Sequence, residues 1–216
     1  MIKKITLILI TLTFFYNQVT AQIATDSIQH YKEYVTLEEA LKNPDEVYRL
    51  NLSNQKFQIP DSVWAKFSHL EYLSLKNDHL KQIPVGLGSL KMLKVLDLSG
   101  NDFKTLPLSF GNLINLQELY LNNDKQLQLG KSIAVLSQLP KLKYLHLEND
   151  NLQNLPSNMF KLEHIESLYL NNNKFKRVPT QIQGIKTLKF LDLHDNRYKP
   201  RLPKFQDQNF GFIIKF

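Results

Sequence analysis

Apolar residues return along most of this chain in one fixed phrase. Aligned on L-x-x-L-x-L-x-x-N-x-L, copies start at Val47, Leu70, Leu93, Leu116, Leu142, Ile165 and Leu188, at intervals of 23, 23, 23, 26, 23 and 23 residues. The third copy gives the form most completely, with Leu93, Leu96, Leu98, Asn101, Phe103, Leu106, Pro107, Phe110 and Leu113. In its first half, Val95-Leu96-Asp97-Leu98-Ser99 puts an apolar residue at every second place, which predicts a short strand with one face on a core. In its second half, Pro107 suits the first turn of a helix and Phe110 and Leu113 follow three apart, which predicts a short helix or 3₁₀ turn. A unit of this size cannot bury its own apolar face, so neighbouring copies must stack and share one core.

Seven copies in phase resemble the leucine-rich-repeat family, in its 23-residue form with a Leu-Pro pair on the back, as in Ras-scaffold and plant resistance-type repeat proteins. The resemblance covers residues 47–203. It implies an α/β repeat solenoid: a right-handed horseshoe with a curved parallel β-sheet on the concave face and short helices or 3₁₀ turns on the convex face. It also implies that the ninth position holds an inward asparagine whose amide bonds the backbone of adjoining turns. Here that position reads Gln55, Asp78, Asn101, Asp124, Asp150, Asn173 and Asn196. Aspartate accepts but does not donate unless protonated, so repeats two, four and five are expected to serve only the turn N–H groups.

The ends of a solenoid need covers. Residues 22–46 read as an N-terminal helical cap, with Thr36-Leu37-Glu38-Glu39 as a capping box and Asn43-Pro44 as the stop. Residues 204–216 read as a C-terminal capping strand or tail, since Phe210, Phe212, Ile214 and Phe216 alternate along it. Repeat four carries three extra residues and lacks the Leu-Pro pair, so its back-side helix is expected to be about one turn longer, with Ile133 added to the buried row.

Composition agrees with this pattern. Thirty-eight leucines in 216 residues exceed ordinary usage, and 43% hydrophobic residues suffice for a real core. The first 21 residues have the order of a bacterial secretory signal: Lys3 and Lys4, an apolar run from Ile5 to Tyr16, then Val19-Thr20-Ala21. The run is too short to span a bilayer as a helix, so the expectation is cleavage after Ala21, a mature chain with no membrane span, and a periplasmic or extracellular location. From Ile165 onward ten Lys/Arg face four acids, against fifteen and sixteen over 22–164, so positive charge collects at one end.

No cysteine is present, which removes thiol nucleophiles, metal thiolates and disulfides, and no glycine-rich phosphate loop occurs. His146 and His194 map to outward strand positions but stand two repeats apart, and His146 with Glu148 falls short of a catalytic zinc set. No catalytic residue, metal or cofactor is expected. Export also argues against nucleic acid as a partner. The triplets Asn51-Leu52-Ser53, Asp26-Ser27-Ile28 and Asp61-Ser62-Val63 match glycosylation patterns too short to decide anything.

Two surfaces remain as candidates. On the concave face Tyr120, His146 and Tyr169 share one slot on adjacent strands, flanked by Tyr144 and Phe190, with Glu148 beside them and Tyr72 toward the first repeats. They form either a structural ring ladder or an exposed binding hot spot. Following the strands, Lys174, Lys176, Arg177, Arg197, Lys199 and Arg201 form a basic edge, either solvated or open to an acidic partner or anionic glycan. The sequence thus reads as a non-enzymatic, exported protein-binding module, monomeric by default. Glycan or cell-wall binding through Tyr120, Tyr144, His146 and Tyr169 is the alternative, and a structural spacer the third. Material secreted by the native cell is expected to begin at Gln22; an intact mass retaining Met1 would overturn the leader assignment.

Overall fold

The computed structural model describes residues 28–56, 59–198 and 211–216; the leader 1–21, and the start of the cap, lie outside the described residues. One parallel sheet runs in strict chain order through β1 (Glu33–Tyr34), β2 (Arg49–Asn51), β3 (Tyr72–Ser74), β4 (Val95–Asp97), β5 (Glu118–Tyr120), β6 (Tyr144–His146), β7 (Ser167–Tyr169), β8 (Phe190–Asp192) and β9 (Ile213–Lys215). Register follows the repeat, pairing Leu50 with Leu73, Leu73 with Leu96, Leu96 with Leu119 and so on to Leu191 with Ile214. The expected solenoid is formed, its curved sheet running from β1 to β9 without closing among the described residues.

The core is a set of columns, each built from one repeat position. Leu50, Leu73, Leu96, Leu119, Leu145, Leu168 and Leu191 form the strand column, all 0% exposed. Trp64, Leu87, Phe110, Ile133, Met159 and Ile182 form the column on the back, also 0% exposed. The back elements are short: α1 (Leu37–Ala40) in the cap, α2 (Asp61–Trp64), 3₁₀ turns at Val85–Ser89, Leu108–Asn112, Ser157–Lys161 and Thr180–Gly184, and α3 (Leu129–Leu136). The prolines sit one place earlier than expected, just before the first helical residue, where the carbonyl of Pro107 accepts from Phe110 N–H at 3.0 Å and starts the turn. Repeat four does lengthen its back-side helix: α3 has eight residues and buries Ile133 together with Leu129, Ser132, Val135 and Leu136.

The eighth repeat position carries a regularity that leucine spacing does not reveal. Asn54, Asn77, Gly100, Asn123, Asn149, Asn172 and Asp195 all adopt a left-handed backbone, with φ between 54° and 73°. Asn, Asp and Gly tolerate this conformation best, and it turns the chain sharply out of each strand. At Gly100 space is also short, since an added Cβ would stand 2.0 Å from the Asn77 side-chain oxygen.

The ninth position forms the expected polar ladder. Asp78 Oδ1 accepts from Gln55 N–H at 2.7 Å, Asn101 Oδ1 from Asp78 N–H at 3.2 Å, and Asp124 Oδ1 from Asn101 N–H at 2.7 Å. Asp150 Oδ1 accepts from Asp124 N–H at 2.7 Å and Asn173 Oδ1 from Asp150 N–H at 3.1 Å. The asparagines also donate: Asn101 Nδ2 reaches Leu75 and Leu98 carbonyls at 2.9 and 2.6 Å.

The cap differs from a purely helical one. Besides α1 it contributes β1, so the sheet begins inside it, and Glu33 draws Arg49 of β2 to 2.6 Å. Thr36 does cap α1 by accepting from Glu39 N–H at 3.3 Å, but the Glu39 carboxylate bonds Lys32 at 2.8 Å, leaving the capping box closed on one side. At the other end β9 extends the sheet as a parallel strand beside β8, while residues 204–210 lie outside the described residues. Leu96→Ala is expected to cost roughly 2–5 kcal/mol through transfer and cavity terms, and Thr36→Ala about 1 kcal/mol through the lost cap. Urea denaturation of both variants checks this ranking, and equal small losses would contradict the column assignment.

Candidate functional site

Parallel register places Tyr120 of β5 beside His146 of β6, and His146 beside Tyr169 of β7. Their rings stack: Tyr120 and His146 have centroids 4.0 Å apart at 17°, and His146 and Tyr169 lie 4.2 Å apart at 3°. Phe190 of β8 continues the row at 5.6 Å with a 57° tilt. Tyr72 stands apart, near the first strands, with the Arg49 guanidinium 5.3 Å from its ring centre.

His146 is held from both sides. Its Nε2 lies 3.0 Å from Glu118 Oε1 and its Nδ1 3.2 Å from Glu148 Oε1, while Tyr120 donates its hydroxyl to Glu118 Oε1 at 2.7 Å. Burial works against the imidazolium, but bonds to two carboxylates outweigh it and hold the histidine pKa above its ordinary value. In the protonated form both ring nitrogens donate, and the ring lies between two tyrosine faces. Burial first, then the Glu118 charge, pushes Tyr120 well up and Tyr169 up to about 12. These tyrosines remain neutral donors throughout the biological range.

Exposure differs among the side chains of this cluster. His146 is 8% exposed and Tyr144 6%, because neighbouring rings and strands cover them, whereas Tyr120, Tyr169, Phe190 and Glu148 are half-buried. Glu118, whose place on this face was legible but whose role was not, is the centre of the network and 5% exposed. The signal that could have found it was its diagonal relation to His146 across one strand step. A second oxygen on each of Glu118 and Glu148 is buried without a hydrogen-bond partner among the described residues.

Charge is distributed unevenly over the sheet. At its ends Glu33 pairs with Arg49 at 2.6 Å and Asp192 with Lys215 at 3.0 Å. Asp97, Glu118 and Glu148 in the middle have no Lys or Arg partner among the described residues. A chain of net charge +7 therefore carries an acidic centre on its concave face. No group of three His, Asp or Glu side chains among the described residues is placed to hold a metal ion.

The basic edge is brought together only in part. Lys176, Arg177 and Arg197 are exposed and Lys174 half-buried, and none of the four joins an ion pair among the described residues. The backbone of Lys174 bonds Leu152 and that of Arg197 bonds Phe175, which fixes their loops on adjoining turns. Lys199 and Arg201 lie outside the described residues. A feature that the sequence did not announce is a cleft on the loops of repeats two and three, lined by Lys81, Ile83, Val85, Lys104 and Pro107 among others. Of the glycosylation-like triplets, Asp61-Ser62-Val63 opens α2, and Asp61 is engaged by Gly86 N–H at 2.7 Å.

Similarity to known proteins follows the repeats. A leucine-rich repeat region model matches residues 50–139 and a second leucine rich repeat model matches 140–197. A leucine-rich-repeat protein of Leptospira interrogans is 30% identical, with a TM-score of 0.59 over 78% of this chain and 48% of that one. A chain of the mouse RP105/MD-1 complex is 31% identical, with a TM-score of 0.59 over 69% of this chain and 26% of that one. An internalin of Listeria monocytogenes, 24% identical with a TM-score of 0.55 over 71% of this chain and 43% of its own, shares the fold. The chain thus spans half or less of the length of these proteins. No curated protein sequence matches it. With the repeat phase, the single parallel sheet, the polar ladder and two adjoining family matches all in agreement, the chain belongs to the leucine-rich-repeat family.

Proposed function

We propose that this is an exported, non-enzymatic protein-binding module whose concave face receives a partner presenting basic side chains. The observation that carries the reading is the centre of that face. Asp97, Glu118 and Glu148 have no Lys or Arg partner there among the described residues, the two glutamates sharing the single His146 between them, and the half-buried Tyr120 and Tyr169 border them. An Arg or Lys from a partner meets both needs, since carboxylates attract it and tyrosine edges and hydroxyls supply apolar and polar surface at low entropy cost. The solved relatives support a binding role: one is a chain of the RP105/MD-1 complex. The signal-like leader supports export to the periplasm or beyond. A glycan platform is the weaker reading, because sugars stack on open ring faces and here Tyr120, His146 and Tyr169 cover one another. A spacer predicts no ligand.

The test begins with affinity capture by the chain from residue 22, using native cell envelope, followed by titration with the captured protein. Replacing Tyr120 and Tyr169 together with alanine is expected to weaken binding by at least about 2 kcal/mol, roughly thirty-fold. Stacking of neighbouring rings within the sheet is worth only about 0.2–1 kcal/mol per pair, so the fold survives the double replacement. A Lys76→Ala control, toward the other half of the face, leaves affinity nearly unchanged. Parent-like affinity of the double variant would remove the cluster from the interface and shift attention to Lys176, Arg177 and Arg197.

A further inference from the structure

The polar ladder has an unfinished side. Asp78, Asp124 and Asp150 are 5%, 1% and 7% exposed, and in each the Oδ2 atom is buried with no hydrogen-bond partner among the described residues while Oδ1 accepts a backbone N–H. In the repeats that carry asparagine, the corresponding atom is an amide nitrogen with at least two carbonyl acceptors. Asn101 Nδ2 donates to Leu75 and Leu98, Asn173 Nδ2 to Leu147 and Leu170, and Asn196 Nδ2 to Leu170 and Leu193. One carbonyl, that of Leu170, takes two such donors, at 3.0 and 2.9 Å.

Carried along the repeat, those acceptor places fall to Leu52 and Leu75 for Asp78, to Leu98 and Leu121 for Asp124, and to Leu121 and Leu147 for Asp150. An ionised carboxylate there turns a bare oxygen toward carbonyl oxygens inside the core. A carboxylic acid turns a donor toward them. We propose that Asp78, Asp124 and Asp150 are neutral acids in the folded chain, each Oδ2–H standing where an asparagine amide stands in the other repeats, so that protons are structural ligands of this core. Leu121 depends on them most, since both residues that address its carbonyl are aspartates.

The electrostatic surroundings agree. Burial raises Asp124 to about 9, Asp150 to about 7 and Asp78 to about 6, from an ordinary 3.8. Backbone N–H groups oppose the rise, those of Gln55 and Asn54 at Asp78, of Asn101 at Asp124, and of Asp124 and Asn123 at Asp150. The charges of Asp97 and Asp102, and of Asp150 once it ionises, add to it at Asp124, that of Glu148 adds at Asp150, and His79 opposes it at Asp78. Lys125 lines the same cleft as Asp124 and Asp150.

The direction of the effect follows from linkage. Unfolded, all three groups ionise near 3.8; folded, they keep their protons to higher pH. Their contribution is whole below about pH 4 and is lost as pH rises through the folded values of about 6, 7 and 9. His146, also raised, weakens in the same direction above its own folded value. The ladder is therefore read from the difference between the parent and a variant carrying Asp78→Asn, Asp124→Asn and Asp150→Asn.

Thermal unfolding of both proteins between pH 5 and 9 is the experiment. The parent is expected to lose at least about 5 °C more than the triple variant over that range, and the variant to be the more stable of the two at pH 8.5. Carboxyl carbon shifts of aspartate in the isotope-labelled parent supply a reading that needs no mutation: up to three aspartates should titrate well above pH 5. Equal pH slopes in the two proteins, or all aspartates titrating near 4, would overturn the proposal. A rise in unfolding temperature of the parent on adding Ca²⁺ or Mg²⁺ would also overturn it, assigning Asp124 and Asp150 to a metal in place of protons.

Discussion

Each of the first six repeats makes one three-residue strand and one short back element, and neither has enough surface to close on itself. Stability in such an array comes from nearest-neighbour burial, and here the unit of burial is the column. Fully burying a leucine is worth about 1.5–3 kcal/mol, and every strand-column leucine from Leu50 to Leu191 is completely covered by the repeats on either side. The same dependence explains why both ends recruit extra sheet: β1 from the cap covers β2, and β9 covers β8. It also explains the tolerance of repeat four, whose added residues lengthen α3 on the back while the strand β5 keeps its register with β4 and β6.

Stacking columns at strand spacing forces a second requirement. The chain must leave each strand sharply and bury the turn that does so. Left-handed residues at the eighth position make the turn, and ninth-position side chains satisfy its backbone from the next repeat along. Where that side chain is asparagine, both N–H and carbonyl groups are served. Where it is aspartate, the core holds a carboxyl group in a place shaped for an amide, and the balance of charge and hydrogen bonding passes to the proton.

With backbone and core fixed in this way, the concave face is free to carry chemistry. Strand pairing brings side chains two residues apart on one strand into diagonal reach of the next, which is how Glu118, His146 and Glu148 come to share protons between three residues. The rings that flank them are at once structural and available. Their faces are spent on one another, and their edges and hydroxyls border an acidic surface within a basic protein.

The repeat phase, the Thr36 cap and the longer α3 were legible in the chain because each follows from local spacing, which the short-range geometry of strands and turns converts directly into burial; the parallel sheet was implied by the resemblance to the leucine-rich-repeat family. The slot shared by Tyr120, His146 and Tyr169 was legible for the same reason, being a matter of alignment. What alignment did not contain was depth. Whether an outward side chain is open or covered depends on what its neighbours on adjacent strands do, so only the folded sheet decided that Tyr144 and His146 are buried and that Glu118 anchors the cluster. The strand inside the cap was equally invisible, since two residues carry no periodicity and Glu33–Tyr34 becomes a strand only because β2 offers it an edge. Ninth-position aspartates show both sides at once: their acceptor role was written in the residue type, but that Oδ2 meets no donor among the described residues follows only where successive turns close around it.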